Sequence, residues 1–312
     1  MGQLLEKNTR PKIVLVTGST GMIGSELANK LSLQGRKVIG FDIKSPRPRN
    51  VLYETVEGDL TDPQDISKLF KKYRFDGVIH CGGISGPMVK PMDPAAVCTI
   101  NIDATIRLLE AARQQKIGRF VYCSSISAYG GVSPDTVSEE GSFRPTDVYG
   151  ATKAACDVLV HAYREEHQLN GIAIRIGRVY GPGRSTESLI ATLISDALEG
   201  RSSRPPGDGT ARYHYIYRDD VVSALILALD ASYDISSAYN IAGHDIASDV
   251  EVANIVANYL PNADIIFGQP ENKIITKRPF LDISAAQRDL HYLPKFDLNR
   301  GISTYIEWMK NQ

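Results

Sequence analysis

Cysteine is scarce: the 312 residues hold four, Cys81, Cys98, Cys123 and Cys156, and no Cys-x-x-Cys pair. That excludes a disulfide scaffold and points to reduced, mostly buried thiols in a cytoplasmic protein. The six histidines (His80, His161, His167, His214, His244 and His291) show no ligand spacing, so no metal site is expected. The formal net charge is only −1, which offers no electrostatic basis for binding nucleic acid or an anionic membrane. No apolar run approaches the ~20 residues of a membrane helix. The first ten residues are polar and charged, without a signal-peptide core, and read as a loose tail. No repeat, low-complexity tract or polar linker divides the chain.

What the chain does have is a glycine turn in the right setting. Ile13 to Val16 is a short apolar run with no polar residue to mark an exposed face. That is the pattern of a strand buried on both sides in a parallel sheet. Gly18, Gly21 and Gly24 follow at three-residue spacing, and Glu26, Leu27, Ala28, Leu31 and Leu33 then suit a helix. Strand, glycine turn and helix N-terminus make a site for a dinucleotide pyrophosphate. Unpaired N–H groups and the positive helix end face the phosphates, and glycine lets the backbone come close. A tight turn of this kind needs no ligand, so a second feature is required. Lys37 to Phe41 reads as the next strand with Asp42 at its end. There a carboxylate accepts hydrogen bonds from the adenosine ribose and repels a ribose phosphate. The expected cofactor is NAD; Lys44, Arg47 and Arg49 follow closely and keep NADP as the alternative.

Further strands are expected over Val51 to Glu57, Gly77 to Cys81, Arg119 to Cys123 and Ile172 to Ile176. Asp59 sits where a carboxylate accepts from the adenine amino group, and it can equally cap the helix opened by Thr61-Asp62-Pro63. Pro87, Pro91 and Pro94 mark a loop before one long helix from Ala95 to Gln115, and Pro134 and Pro145 mark another before a helix from Val148 to about Glu166. This unbroken strand and helix alternation predicts a Rossmann-like α/β fold, a doubly wound parallel sheet, over residues 11–183. Residues 184–312 read as a smaller C-terminal α/β substrate lobe with some segments returning to the sheet. Its elements are helices over Leu189–Leu198, Val221–Leu229, Val250–Tyr259 and Gly301–Lys310, a Pro/Gly loop over Ser202–Thr210 and a strand over Ala238–Ile241. The lobe closes a cleft at the C-terminal ends of the strands, where open α/β sheets bind ligands.

Tyr149 and Lys153 stand four apart at a helix start and share one face. An ordinary tyrosine, with a pKa of about 10, is a poor base at neutral pH. A lysine ammonium on the same face and a positive nicotinamide ring favour the phenolate. The phenolate takes a proton from a substrate hydroxyl while hydride leaves the same carbon. Lys153 also holds the nicotinamide ribose, and Ser125 hydrogen-bonds the same substrate oxygen. An isolated Tyr-x-x-x-Lys is as readily a solvated helix face; the glycine turn upstream and the serine between make the set specific. His80 ends a buried strand and reads as a structural, neutral ring. Tyr213, Tyr215 and Tyr217 alternate as on a strand and read as lobe packing, and Trp308 as a core anchor.

These residues resemble an extended short-chain dehydrogenase/reductase of the NAD-dependent epimerase/dehydratase group. The match comprises Thr17-Gly18-x-x-Gly21-x-x-Gly24, Gly58-Asp59-Leu60, His80-x-Gly82-Gly83, Asn101, Ser124-Ser125-x-x-x-Tyr129-Gly130, Tyr149-x-x-x-Lys153, Val179-Tyr180-Gly181-Pro182 and Asp220-Val221. The expected catalytic residues are Ser125, Tyr149 and Lys153. The expected cofactor set is Gly18, Gly21, Met22, Ile23, Gly24, Asp42, Ile43, Asp59, Leu60, Cys81, Gly82, Gly83, Asn101, Ser124, Tyr149, Lys153 and Tyr180. By resemblance Met22 and Ile23 contact the pyrophosphate, Asn101 supports the site from its helix, and Tyr180 lies near the nicotinamide carboxamide. The expected substrate set is Ser85, Ser125, Ile126, Arg178, Arg184 and Arg212.

The resemblance implies a sugar or nucleotide-sugar substrate, hydride transfer at a secondary hydroxyl, and epimerisation as the first reading. A NAD-dependent dehydrogenase of a free sugar or sugar acid is the alternative, and a non-catalytic NAD-binding scaffold the third. It also implies a homodimer through Ala95–Gln115 and Tyr149–Glu166. Two departures stand out. The group's 4,6-dehydratases carry Thr-Asp-Glu where this chain has Ser125-Ile126-Ser127, so no acid and base are in place to eliminate water, and a dehydratase is not expected. Arg178 replaces an asparagine before Val-Tyr-Gly-Pro, and Tyr213 falls where many relatives place an arginine that clamps the diphosphate, with Arg212 one place off. Arg178, Arg184 and Arg212 are then either grips for a carboxylate or phosphate or plain surface charge.

Overall fold

Side chains alternate across the first strand, β1 (Ile13–Thr17): Val14 and Val16 join one apolar cluster and Leu15 the other, all three fully buried. A strand buried on both faces lies in the middle of a layered structure. The computed structural model describes residues 10–44, 51–88, 93–131, 136–232, 235–269 and 279–312. Arg47, Arg49, Pro91, Pro134 and most of the expected N-terminal tail lie outside those residues.

Within them, β1 is flanked by β2 (Lys37–Asp42), β3 (Glu54–Glu57), β4 (Gly77–His80), β5 (Arg119–Ser125), β6 (Gly171–Ile176) and β9 (Ala238–Ile241). The order is β9-β6-β5-β4-β1-β2-β3, and every neighbour is parallel. Helices α1 (Met22–Leu33) and α6 (Arg218–Asp230) cover one face. Helices α2 (Pro63–Lys72), α3 (residues 94–115) and α4 (Val148–His167) cover the other. This is the doubly wound sheet expected. The chain reverses direction between β1 and β4, and a crevice opens there above the C-terminal strand ends.

Helix α3 differs from expectation. It is α-helical over Pro94–Cys98 and Ala104–Gln115, with a π-helical turn at Thr99–Asp103 between. The Asn101 carbonyl inside that turn accepts from the Thr105 hydroxyl at 2.6 Å and from the Cys156 thiol at 3.4 Å. Side chains that take a helix carbonyl loosen its backbone ladder, and π turns of this kind concentrate at functional sites. The expected strand from Val51 is shorter, because the buried Tyr53 leaves the ladder to send its hydroxyl to the Ser19 carbonyl at 2.7 Å.

The later part of the chain serves two bodies. Strand β9 joins the main sheet, α6 packs on α1, and helix α8 (Ser284–Asp289) adds Ala286 to the same cluster. The rest forms a second layer: β7 (Arg178–Tyr180), β8 (Arg212–Tyr217) and β10 (Ile246–Ser248) make a small sheet. Helices α5 (Leu189–Leu198), α7 (Asp249–Tyr259) and α9 (Leu298–Lys310) enclose it around Leu193, Tyr215, Val252, Ile302 and Tyr305. The segment expected as a loop from Ser202 begins with a two-residue strand, Ser202–Ser203, paired with Asp264–Ile265. Trp308 is no core anchor: α9 buries Ile302, Tyr305 and Ile306, and Trp308 falls on the flank of that stripe, 37% exposed.

Candidate active site and cofactor cleft

The strand ends and the second layer enclose a cleft of about 1160 Å³. Its floor begins at Gly18, which has φ +66. A Cβ there would stand 2.7 Å from the Gly82 nitrogen, and one on Gly24 would collide with the Gly18 carbonyl oxygen. Two backbones thus touch across β1 and β4 where only glycine fits. Helix α1 starts at Gly21 with no side-chain cap and no acidic residue in its first turn. The first-turn N–H groups, those of Met22 and Ile23 among them, therefore face the cleft without a side-chain acceptor. An uncapped, acid-free helix start behind a glycine turn fits a dinucleotide pyrophosphate.

Gly21, Met22, Ile23, Asp42, Ile43, Asp59, Leu60, Cys81, Gly82, Gly83 and Ser124 all line the same cleft. One Asp42 carboxylate oxygen accepts the Thr20 N–H at 3.0 Å, which locks the glycine turn to β2. Asp59 lines the cleft and accepts the N–H and hydroxyl of Thr61, each at 2.8 Å, but it does not cap α2: that cap is Asp62, which accepts Gln64 N at 2.8 Å. The Cys81 and Cys123 sulfurs stand 3.3 Å apart in the cleft wall, both free. The hydrogen bond to Cys123, and then burial, push the Cys81 thiol well above its ordinary pKa.

Two expected cofactor residues sit differently. Asn101 is 3% exposed and behind the cleft wall. Its carboxamide accepts from Ile84 N at 2.7 Å and donates to the Ile84 carbonyl and to Thr152 Oγ1, at 3.2 and 2.9 Å. With its polar atoms spent, Asn101 ties the loop after β4 to α4, support without contact. The Tyr180 ring is turned into the second core, edge-on to Tyr215 and Tyr217, with its hydroxyl on the Asp297 carbonyl. Burial raises its pKa strongly, and only its backbone can meet a ligand in the cleft.

Tyr149 and Lys153 come from the first two turns of α4, started by Asp147, whose carboxylate caps Gly150 N at 2.7 Å. Lys153 is 8% exposed and donates to the Cys123 carbonyl at 2.8 Å. Its ammonium stands 5.9 Å from the Tyr149 ring centre and 4.8 Å over the Tyr122 ring. Ser125 ends β5 and accepts Ser127 N at 3.1 Å, which starts the 3-10 turn Ile126–Tyr129. Ser85, Ser125, Ile126 and Tyr149 share the cleft. A cation, a phenol and a hydroxyl line the same cleft as the glycine floor, a set suited to moving a proton on and off a bound alcohol.

His80 is structural, as expected, but its partners are hydroxyls rather than backbone groups. Gly82 N donates to Thr17 Oγ1, which pairs with His80 Nδ1 at 2.7 Å; His80 Nε2 pairs with Thr105 Oγ1 at 3.0 Å, and that hydroxyl donates to the Asn101 carbonyl. One direction of donation satisfies the whole chain only if Nε2 carries the proton. Burial, then the Lys153 charge, lower the His80 pKa to about 3, so the ring is neutral. The relay runs from the glycine floor to the π turn of α3, and sequence spacing gave no sign of it.

The three candidate arginines separate. Arg178 and Arg184 line the cleft. Arg212 does not: it is exposed, paired with Glu251 at 2.9 Å and donating to the Ile246 carbonyl at 2.7 Å. From β8 the cleft is lined by Tyr213, His214 and Tyr215, and Arg212, at the start of the strand, is held away from it by Glu251 and the Ile246 carbonyl. Tyr213 is the residue that sequence reasoning undervalued. Only half buried, it carries the Arg178 guanidinium 3.7 Å above its ring centre, whereas Tyr215 and Tyr217 pack in the core as expected.

The family model described as "NAD dependent epimerase/dehydratase family" matches residues 14–242. The UDP-glucose 4-epimerase of Mycolicibacterium smegmatis is 29% identical, over 96% of this chain and 98% of that protein. The dTDP-glucose 4,6-dehydratase of Neisseria meningitidis is 26% identical, over 95% and 92%. Among solved structures, MoeE5 in complex with UDP-glucuronic acid and NAD superposes with a TM-score of 0.86 at 30% identity, covering 96% of this chain and 99% of that one.

Proposed function

The chain belongs to the NAD dependent epimerase/dehydratase family, and from that premise we propose that it binds a nucleotide sugar beside NAD and inverts a hydroxyl-bearing carbon of the sugar. The observation that carries this reading is the meeting of Ser125, Tyr149 and Lys153 with the glycine floor in one cleft. NAD, when bound, supplies the acceptor that takes hydride from the sugar carbon and returns it. Tyr149 would take the hydroxyl proton and give it back after the ring has turned over. Lys153, anchored on the Cys123 carbonyl, would favour the phenolate and hold the ribose. Ser125 would fix the substrate oxygen. Asp42 would accept from the adenosine ribose, and the first turn of α1 would hold the pyrophosphate.

Dehydration is not part of the proposal. The segment Ser125-Ile126-Ser127 offers no carboxyl, and the Asp147 carboxylate at the cleft edge already accepts Gly150 N. A second reading, net NAD-dependent oxidation of a free sugar acid, draws support from one feature, the two cleft arginines. A homodimer through the outer faces of α3 and α4 is supported by the exposure of Ile106 and Val158 there, at 38% and 55%. Among the described residues no helix is long and apolar enough to cross a membrane, which suits the proposed cytoplasmic location.

The test mixes purified protein with NAD and a panel of UDP-, GDP- and dTDP-sugars, free aldoses and hexuronic acids. Interconverted sugar nucleotide without net NADH supports the epimerase; sustained NADH with a free acid supports the dehydrogenase. Tyr149→Phe is expected to cut turnover by roughly 10²–10⁴-fold with NAD binding retained. Turnover that survives that change sinks the proton-transfer scheme.

A further inference from the structure

The cleft wall carries two guanidinium groups, Arg178 and Arg184, for which no described residue supplies an ion-pair partner. Several other buried or half-buried arginines meet carboxylates, Arg36 with Asp230, Arg175 with Asp157, and Arg218 with Glu26 and Asp219, while Arg119 is held by Asn170 and the Ala231 and Ser232 carbonyls. Among the described residues neither Arg178 nor Arg184 makes an ion pair. Arg178 lies flat on Tyr213, 3.7 Å from the ring centre, and 5.6 Å from that of Tyr215. The β7 and β8 register pairs Arg178 with Tyr215, which puts Tyr213 diagonally across on the same face. Stacking holds the plane of the guanidinium and leaves its edge N–H groups directed outward. Asp249 acts on Arg178 only through space; its carboxylate accepts the Tyr215 hydroxyl at 3.1 Å. Glu187, on the cleft rim, is exposed and pairs with neither.

Arg184 is the more costly of the two. It donates to the Val179 carbonyl at 3.0 Å, and its Nε is buried without a partner. Burial, and then the neighbouring Arg178 charge, lower its pKa, and it lies within electrostatic reach of Tyr149. Two like charges in a partly desolvated wall, one with an unmet donor, are unfavourable until an anion arrives. Guanidinium edges select planar or tetrahedral oxyanions, which they grip through paired N–H groups.

We infer that Arg178, shelved on Tyr213, and Arg184 form one oxyanion site in the substrate wall, and that the substrate brings to it a carboxylate or phosphate group. The inference rests on the proposed reading that this cleft holds a nucleotide sugar. It moves the anion grip from Arg212, which Glu251 and the Ile246 carbonyl hold away from the cleft, to the neighbouring strand and the loop after it.

The test is calorimetric binding to the NAD-loaded protein, with UDP-glucose and UDP-glucuronate as probes. Each of Arg178→Met and Arg184→Met is compared with the surface variant Arg212→Ala, and melting temperature and NAD retention check the fold. A loss of roughly tenfold or more for UDP-glucuronate, with UDP-glucose little changed, supports the site with a sugar carboxylate as its anion. An equal loss for both probes supports it with the diphosphate as its anion. Arg178→Lys is expected to recover only part of the affinity, because an ammonium keeps the charge but not the fork or the stack. If both methionine variants bind both probes within about twofold of the parent, the oxyanion site is wrong, and the Tyr149 chemistry is untouched by that result. A parent protein that holds NAD but binds neither probe overturns the nucleotide-sugar reading itself, and the site with it.

Discussion

Arg175 and Arg178 are three residues apart, on consecutive strands, yet they live in opposite chemistries. Arg175 points behind the sheet, 7% exposed, with Nε and Nη2 on the two Asp157 oxygens at 2.9 and 2.8 Å and Nη1 on the Tyr129 hydroxyl and the Glu139 carbonyl. Burial works against its charge, but Asp157 and Tyr129 more than offset that and raise its pKa. Burial dominates at Tyr129 and pushes its hydroxyl up to about 12. Arg178 lines the cleft with an aromatic shelf and, among the described residues, without an ion-pair partner. One region uses its charge to hold strands and loops together; the other keeps charge unpaired for something that comes and goes. Identical side chains take opposite roles because a buried cation needs its partner built in, while a binding site must leave the partner's place open.

That contrast can be broken at graded depth. The largest effect belongs to the closed cluster. Arg175→Met strands the Asp157 carboxylate, 3% exposed, and is expected to cost about 3–5 kcal/mol of folding stability, read as a lower urea midpoint with NAD affinity per folded molecule unchanged. If Arg175→Met folds as stably as the parent, the distinction between a built-in and a borrowed partner fails.

The next effect comes from His80, a buried group kept neutral. Its folded pKa, about 3, lies below the ordinary imidazole value of 6.5. The stability it contributes is therefore fully present above pH 6.5 and is lost as pH falls from 6.5 toward 3. At pH 5 the loss is roughly 2 kcal/mol. Denaturation midpoints at pH 7.5 and pH 5 should draw closer together in His80→Asn than in the parent; an unaltered gap would show that the ring carries no such linkage.

The smallest effect is at the third arginine. Arg212 pairs with Glu251 where both side chains are about half exposed, 48% and 50%. Arg212→Ala is expected to change stability by under about 0.5 kcal/mol and substrate affinity not at all. A clear rise in the Kd for a sugar nucleotide would return Arg212 to the cleft and weaken the division drawn here.

Much of this molecule was legible in one dimension. The glycine turn, Asp42, and the pair Tyr149 and Lys153 lie within short stretches whose spacing has a fixed geometric meaning. Strand alternation and helical period translate directly into faces, so six of the seven parallel strands followed from local pattern, while Ala238–Ile241 and the helix over Val221–Leu229 read as elements of the smaller lobe and instead join or pack on the main sheet. Where pattern failed, a distant partner had intervened. The π turn in α3 forms where Thr105 and Cys156 take the Asn101 carbonyl, and Cys156 belongs to another helix. Asn101 was misplaced as a cofactor contact because Ile84 and Thr152 occupy its amide. Trp308 slipped to the surface because a helix stripe is narrower than a single large residue suggests.

Sequence alone determined the fold class, the glycine turn at the cleft floor and the placing of Tyr149 and Lys153 on one helix, because backbone geometry and same-helix spacing are local properties. The tertiary structure decided which arginines line the cleft, which tyrosine serves as a shelf for Arg178 and which histidine is locked neutral. Those outcomes depend on what lies across a strand gap or on a neighbouring helix, and burial and charge pairing are set only when distant segments come together.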